Sequence, residues 1–323
     1  MKIFVTGGCG FIGSNFVRFL LDKTQHEIVN VDALTYAANP DKAKTVSHNT
    51  NDIKNARYTF IKGDVRDADL MNTAMKGAEC VVHFAAESHV DRSIQSADEF
   101  LTTNILGTKT ALDAAIKNNV KKFVHISTDE VYGSIEEGKA GEDTKFAPSS
   151  PYAASKAAAD LLAQAYFKTY NLPVLITRCA NNFGPYQFPE KVIPLFIKKL
   201  MAGEKVPVYG NGLNRRNWIF AEDNCEAIHT ILLKGKTGEA YNISGNDELS
   251  NIELTKKLLK LCNKDESYIE FVKDRLGHDF RYAVDDAKLR SLGWKPKHTF
   301  EEALKKTVEW YNANKEWIKQ TGG

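Results

Sequence analysis

Apolar and polar positions along the first half of the chain repeat in a strand and helix rhythm. Residues 2–6 form a short apolar run that breaks into glycine, and a helical pattern then continues through Leu21. Further strands are predicted at 27–31, 58–61, 80–84, 121–126 and 173–178, and long helical stretches at 100–118 and 152–170. Pro151 opens the second long stretch, where a fixed φ and a missing N–H suit the first turn of a helix. Strands alternating with helices predict an α/β fold, a Rossmann-type doubly wound parallel sheet. Residues 34–55 are polar and irregular and read as a loop. Beyond Asn181 the rhythm loosens, with Pro185, Pro189, Pro194 and Pro207 punctuating the chain. The expected division is therefore a first domain over 1–180 and a smaller C-terminal α/β lobe over 181–323, with some later segments returning to the first.

Composition narrows the classes. The chain has 323 residues, enough to bury a substantial core, and its 43% hydrophobic and 26% charged content is that of an ordinary globular protein. Net charge is only +2, with Lys and Arg scattered, so neither nucleic acid nor an anionic membrane is expected as a partner. No apolar run approaches the ~18 residues of a membrane span. The opening residues meet glycine at Gly7, too early for a signal peptide. Cys9, Cys80, Cys179, Cys225 and Cys262 show no paired metal spacing, so no metal is expected, and they read as small buried residues carrying reduced thiols in a cytoplasmic protein.

Two stretches carry candidate chemistry. The first is Gly7-Gly8-Cys9-Gly10-Phe11-Ile12-Gly13, set between a strand and a helix, which puts backbone amides at a helix N-terminus ready for a pyrophosphate. Asp32 ends the next strand, nineteen residues after Gly13, where a carboxylate can bind an adenine ribose. An acid there with no arginine beside it favours NAD over NADP. Asp64, closing the third strand, is placed to meet the adenine, the loop of residues 34–55 lies over the adenosine end, and the small residues after the fourth strand let backbone pass close beneath a cofactor. The second stretch runs from Ser127-Thr128-Asp129-Glu130 to Tyr152-Ala153-Ala154-Ser155-Lys156. Thr128, Asp129 and Glu130 are expected just past the carboxyl end of a strand, and Tyr152 and Lys156, four apart, share a helix face. A phenol titrates near ~10, so making it a base at neutral pH takes roughly 4 kcal/mol of phenolate stabilisation. A lysine cation one turn away in a dry cleft is expected to supply much of it. Taken alone, the pair is also an ordinary surface pair, and the two acids also read as a solvated loop or a cap. Alanines at helical spacing on both long helices suit either close packing within a monomer or a helix-bundle dimer interface.

With these elements together the chain resembles the extended short-chain dehydrogenase/reductases, and within them the dTDP-glucose 4,6-dehydratase family. The residues that carry the resemblance are Leu34-Thr35-Tyr36-Ala37, Ala85-Ala86-Glu87-Ser88-His89-Val90-Asp91-Arg92-Ser93, Thr128-Asp129-Glu130, the run from Asn181 through Lys191, and Asp274-Arg275-Leu276-Gly277-His278-Asp279. The resemblance implies that Gly7, Gly10, Phe11, Ile12, Gly13, Asp32, Leu34, Thr35, Asp64, Val65, Phe84, Ala85, Ala86, Ser88, Thr103, Tyr152, Lys156 and Asn182 bind NAD. It implies catalysis by Thr128, Asp129, Glu130, Tyr152 and Lys156: Tyr152 takes the O4 proton, Lys156 holds the phenolate and the nicotinamide ribose, Glu130 removes the C5 proton and Asp129 protonates the departing C6 hydroxyl. Ser88, Thr128, Asn181, Lys191, Val192, Pro207, Tyr209, Arg216, Asn251, Asp274, Arg275 and His278 are implied to contact a nucleotide-sugar substrate, dTDP-glucose, and a homodimer is implied. Arg215-Arg216-Asn217-Trp218 departs from the family's usual Val-Arg-Asp-Trp. Leu276 stands for proline, Asn224 for histidine and Ala38 for glycine, which leaves UDP-glucose as the rival substrate. Other sugar-nucleotide epimerases or decarboxylases of this fold, and a non-catalytic dinucleotide sensor, are the remaining readings.

Overall fold

The computed structural model describes residues 1–36, 38 and 56–321. Most of the predicted loop at 34–55, with Ala37 of the resemblance, lies outside the described residues. Strands run in chain order as β1 (Lys2–Thr6), β2 (Glu27–Asp32), β3 (Tyr58–Lys62), β4 (Cys80–His83), β5 (Lys122–Thr128), β6 (Val174–Cys179), β7 (Asn181–Phe183), β8 (Val206–Tyr209), β9 (Arg215–Phe220), β10 (Ala240–Ile243), β11 (Asp247–Ser250), β12 (Ile269–Val272) and β13 (Arg281–Tyr282). Seven of them make one sheet in the order β10-β6-β5-β4-β1-β2-β3, and every pairing in it is parallel. This is the doubly wound arrangement. β4 and β6 are buried along their whole length, as strands covered by helices on both faces must be.

One face of the sheet is covered by the helices Phe11–Lys23 and Ala221–Lys234, which bury Phe16, Val17 and Leu20 with Ile228 and Ile231. The other face packs Phe4, Val81 and Phe123 against Ala111, Leu112 and Ala115 of one long helix and Ala163 and Tyr166 of another. These alanines are therefore spent inside the monomer. The second of those helices, Pro151–Tyr170, starts with the Ser150 hydroxyl accepting from the Ala153 amide at 3.1 Å. The first is continuous from Asp98 to Lys117 but widens to a π-helix over Leu101–Gly107. A separate core gathers Phe183, Trp218, Leu254, Leu258, Leu304 and Tyr311 around the smaller sheets β11-β9-β13, with β7 beside β9, and β12-β8.

The chain passes between the two cores more than once. After β7 to β9 build the smaller lobe, helix Ala221–Lys234 and β10 rejoin the first core, and Leu289 and Trp294 follow them. One strand ends later than its sequence pattern suggests. β5 continues through Thr128, which pairs with Cys179 of β6, so Thr128 closes the strand and only Asp129 and Glu130 lie beyond it.

The returning helix gives a direct test of this connectivity. Ile228→Ala, at a fully buried position, is expected to lower unfolding free energy by about 2–5 kcal/mol in urea titrations. Leu233→Ala, on the exposed side of the same helix, is expected to stay within about 0.5 kcal/mol of the parent.

Candidate active site

A cleft of about 330 Å3 opens at the carboxyl edge of the large sheet, where strand order reverses about β1. Its floor and walls are the turns that leave β1 to β6. The turn after β1 leads into helix Phe11–Lys23 with Gly10 at the N-cap and no side chain capping it. The first-turn amides are thus left to face a ligand. Gly7 holds φ +70°, and a Cβ on it would stand 2.6 Å from the Ala85 amide nitrogen; one on Gly13 would stand 2.2 Å from the Gly7 carbonyl. Only glycine permits this loop, and the bare backbone it presents fits a dinucleotide pyrophosphate.

The other residues expected to hold a dinucleotide lie around this loop, all but Leu34 lining the cleft. Asp32 accepts from the Cys9 amide at 2.8 Å and from the Leu34 amide at 2.8 Å, so its carboxylate ties the glycine loop to the exit of β2. Asp64 is gripped by the Arg66 guanidinium at 2.7 Å, which holds its carboxyl below the usual range. Phe11, Ile12, Thr35, Val65, Phe84, Ala85, Ala86, Ser88, Thr103 and Asn182 all line the cleft with them. Leu34 does not; it is a backbone contact of Asp32 in a left-handed conformation, φ +55°.

Thr128, Asp129, Glu130, Tyr152 and Lys156 meet in the same cleft. The Thr128 hydroxyl accepts from the Glu130 amide at 3.3 Å and caps the short 3-10 helix Asp129–Tyr132, which aims the two acids inward. Burial, with the Glu130 charge second, pushes the Asp129 carboxyl up to about 8. Its Oδ1 accepts from Thr128 at 3.3 Å while Oδ2 has no hydrogen-bond partner among the described residues. Asp129 therefore carries a proton at neutral pH and has an atom from which to donate it. Burial also raises Glu130, opposed by Arg275, Lys191 and Arg216.

The electrostatics of the Tyr152/Lys156 pair differ from the sequence expectation. Burial and the Glu130 charge raise the Tyr152 phenol well above its ordinary value, with a Thr128 hydrogen bond working the other way. The Lys156 ammonium donates to the Ile126 carbonyl at 2.7 Å. Burial lowers it to about 8. The lysine by itself does not make the phenol a base, because loss of solvent acts on both groups and drives each toward neutrality.

The expected substrate contacts divide into two sets. Ser88, Asn181 and Lys191 line the cleft, and Lys191 Nζ donates to the Ser88 carbonyl at 2.9 Å. Val192, Pro207, Tyr209, Arg216, Asn251, Asp274, Arg275 and His278 belong to the smaller lobe outside that lining. The His278 imidazole sits edge-on to Tyr209 with ring centres 6.2 Å apart, and Asp274 Oδ1 lies 2.6 Å from His278 Nδ1. Arg275 bridges to Asp91 of the large lobe at 3.6 Å. The Arg216 guanidinium is held by the carbonyls of Arg215, Asp279 and Phe280, at 2.7, 2.9 and 3.2 Å. Its neighbour Arg215, one of the family departures, points elsewhere: it bonds Glu248 at 2.7 Å, which Arg281 also grips at 2.8 Å. Arg215 is thereby paired within the small sheet. Sequence reasoning missed Glu190, which lines the cleft and joins the Tyr36 hydroxyl at 3.2 Å and His89 at 3.5 Å. It lay inside a quoted motif, but partners 154 positions away leave no local signal.

Fold and cleft together define a dinucleotide-binding enzyme of the Rossmann type with paired carboxylates at its centre. The family described as GDP-mannose 4,6 dehydratase matches residues 4–307, and the chain belongs to that family. It is 50% identical over 311 residues to the low-salt glycan biosynthesis protein Agl12 of Haloferax volcanii, covering 96% of this chain and 98% of that one. It is 49% identical over 323 residues to a dTDP-glucose 4,6-dehydratase of Streptomyces niveus, covering 98% and 94%. Among solved structures, DesIV, a dTDP-glucose 4,6-dehydratase of Streptomyces venezuelae solved with NAD and TYD bound, superposes with a TM-score of 0.95 at 47% identity, covering 99% and 100%.

The raised Asp129 carboxyl has a stability signature. The folded state keeps a proton that the unfolded chain loses near pH ~4, so between there and about 8 stability falls as pH rises. Asp129→Asn removes this slope. Urea unfolding of variant and parent is expected to show a gain for the variant that is larger at pH 8 than at pH 5.

Proposed function

We propose that this chain dehydrates dTDP-glucose to dTDP-4-keto-6-deoxyglucose, a hydro-lyase reaction run on tightly bound NAD. The observation that carries the reading is Asp129: a carboxyl kept protonated by burial, beside a second carboxyl and within one cleft of a tyrosine and a lysine. Oxidation and epimerisation alone need no second acid and base; elimination of water across C5 and C6 needs both.

NAD, when held here, would supply the acceptor for hydrogen leaving C4 and the donor that returns it to C6. The protein does the rest. Gly7, Gly10 and Gly13 present backbone amides to the pyrophosphate, and Asp32 and Asp64 hold the adenosine end. Tyr152 takes the proton from the sugar O4, assisted by Thr128, while Lys156 holds the nicotinamide ribose. The ketone so formed makes the C5 proton acidic, and Glu130 removes it. Glu130 suits this task because Arg275, Lys191 and Arg216 oppose the effect of burial on its charge. Asp129 Oδ2 delivers its proton to the departing C6 oxygen, so charge never builds on hydroxide in a dry site. Asn181, Lys191 and Arg216 bind the diphosphate and sugar, and the loop of Asp274, Arg275 and His278 covers the nucleotide with Tyr209 against the base.

A homodimer fits the surface that remains. Leu101, Leu106, Leu161 and Tyr170, on the two long helices, are 44 to 58% exposed. Burying such residues against a second copy is favourable. Leu161→Glu is expected to convert dimers to monomers in sedimentation velocity. The free thiols of Cys80, Cys179, Cys225 and Cys262 suit a reducing cytoplasm, and no helix among the described residues is long and apolar enough to cross a membrane.

Mass spectrometry of the purified protein with dTDP-glucose or UDP-glucose, with no NAD added, tests the reading. Loss of one water from the dTDP sugar alone is expected. Loss from the UDP sugar alone, or from neither even after NAD is supplied, would overturn it. Glu130→Gln separates the steps: reduced cofactor should accumulate in absorbance while dehydration slows by about 100-fold or more.

A further inference from the structure

Helix Pro151–Tyr170 carries a third functional-looking side chain at the same spacing as the first two. Tyr152, Lys156 and Asp160 follow one another at four-residue steps, and all three are buried, Asp160 completely. Residues four apart on a helix lie one above the other, so Asp160 stands one turn behind the lysine, on the side away from the cleft. Asp160 does not line the cleft and has no part in the chemistry so far described.

The surroundings of Asp160 are built to keep it charged and still. Its Oδ2 accepts from Arg178 Nε at 2.8 Å, and its Oδ1 lies 3.3 Å from His125 Nε2. Arg178 is locked in turn by the Tyr132 hydroxyl and the Glu142 carbonyl, both at 2.8 Å, and Tyr132 donates to Asn242 at 2.9 Å. His125 immediately precedes Ile126, whose carbonyl takes the Lys156 ammonium at 2.7 Å, so the cage around Asp160 and the seat of the lysine are the same stretch of β5. A buried ammonium without a counter-charge sheds its proton. The groups facing Lys156 from each packed element are few. Its own helix offers Asp160, with Tyr152 one turn nearer the cleft, β4 offers His83, β5 offers His125 and β6 offers Cys179, while Arg178 of β6 lies beyond them on Asp160. Burial lowers both histidines, so they are neutral, and it raises the Cys179 thiol and the Tyr152 phenol, so they are uncharged as well. Arg178 is a cation. Asp160 is the anion of this set: burial alone would raise its carboxyl, but His125 and Arg178 hold it below the usual range.

We propose that Asp160 is a positioning residue that keeps Lys156 an ammonium in the cleft, acting as its buried counter-charge from the next turn of the same helix. The inference deepens the reading of Tyr152 and Lys156 given above and rests on it for the effect on turnover. The lysine is the group that must stay cationic to hold a ribose and favour a phenolate, and burial has already brought it down to about 8. Loss of the Asp160 charge takes it lower, so that near neutral pH part of the population carries a neutral amine and loses the oxidation step.

The test uses Asp160→Asn, with Asp160→Asn/Arg178→Gln as a second variant that relieves the otherwise unpaired buried guanidinium. Lysine side chains labelled with 13C are titrated by NMR without cofactor or substrate, the Lys156 signal being identified by its loss in Lys156→Met. Its midpoint is expected to fall by about one pH unit or more in Asp160→Asn, and to fall by less in the double variant, which removes a cation along with the anion. With dTDP-glucose, the alkaline limb of reduced-cofactor formation should move to lower pH, leaving Asp160→Asn about fivefold or more slower than the parent at pH 8 and close to it at pH 6. An unmoved Lys156 midpoint overturns the proposal. So does a loss of rate equal at every pH that recovers with stability in the double variant, since that is what a purely structural ion pair produces. A shifted midpoint in a protein that does not turn over dTDP-glucose at all supports the counter-charge and overturns the assigned reaction instead.

Discussion

Loss of water at the carboxyl edge of the large sheet is the constraint on which the site depends. Placing ionisable groups there drives each toward its neutral form: Asp129 up to about 8, Lys156 down to about 8, Tyr152 well above its ordinary value. A single effect therefore acts usefully on one residue and against another. For Asp129 it creates a neutral carboxyl that can act as an acid at physiological pH. For Lys156 and Glu130 the fold must supply opposing charge, and it does so from different directions, with Asp160 behind the lysine and Arg216, Arg275 and Lys191 around the glutamate. The two adjacent carboxyls are thus acted on differently: burial and the Glu130 charge raise Asp129, while Arg275, Lys191 and Arg216 oppose the rise that burial imposes on Glu130.

The same site explains the reach of the chain between its two lobes. Glu130 stands on the large lobe, yet Lys191, Arg216 and Arg275, which oppose its discharge, come from the helix entry, strand and loop of the smaller one. The charge on Glu130 is consequently coupled to the closeness of the two lobes. The bridges Arg275 to Asp91 and Lys191 to the Ser88 carbonyl join the lobes across the mouth of the cleft. Return of helix Ala221–Lys234 and β10 to the first core fastens the smaller lobe at its other side, with Ile228 and Ile231 buried against the helix that follows the glycine loop.

Much of this was legible in the chain because it is local. The glycine loop, Asp32, Asp64 and the Tyr152/Lys156 spacing are short-range patterns in which the backbone requirement and the residue type coincide, as the forbidden Cβ positions at Gly7 and Gly13 make plain. The six predicted strands of the first lobe fell where apolar runs end in polar turns. What escaped was non-local. Nothing near Asp160 announces Arg178 or His125, which come from two different strands, and nothing near Glu190 announces Tyr36. β10 escaped for a related reason. Its four residues carry no sign of which sheet they will join, and their place beside β6 is decided by packing around Tyr241 and Ile243. The sign of the Tyr152 shift was misjudged because charge spacing is visible in a sequence and depth of burial is not.

The departures from the family pattern can be weighed on the same physical terms. Arg215 replaces an apolar residue next to Arg216, and an extra cation there would compete for any anion the pair was meant to bind. Glu248 removes the competition: it faces Arg215 across the β9 and β11 pairing region and is forked by Arg281 from β13, which holds its carboxyl down to about 2. A carboxylate shared by two guanidiniums stays ionised near neutral pH, so Arg215 is held as a strut of the small sheet. Arg216 faces the other way, with its guanidinium over the Tyr282 ring at 4.1 Å and bonded to backbone carbonyls. Carbonyls orient a guanidinium without neutralising it. Arg216 is therefore the guanidinium that acts on Asp129 and Glu130, while the second arginine beside it is tied to Glu248.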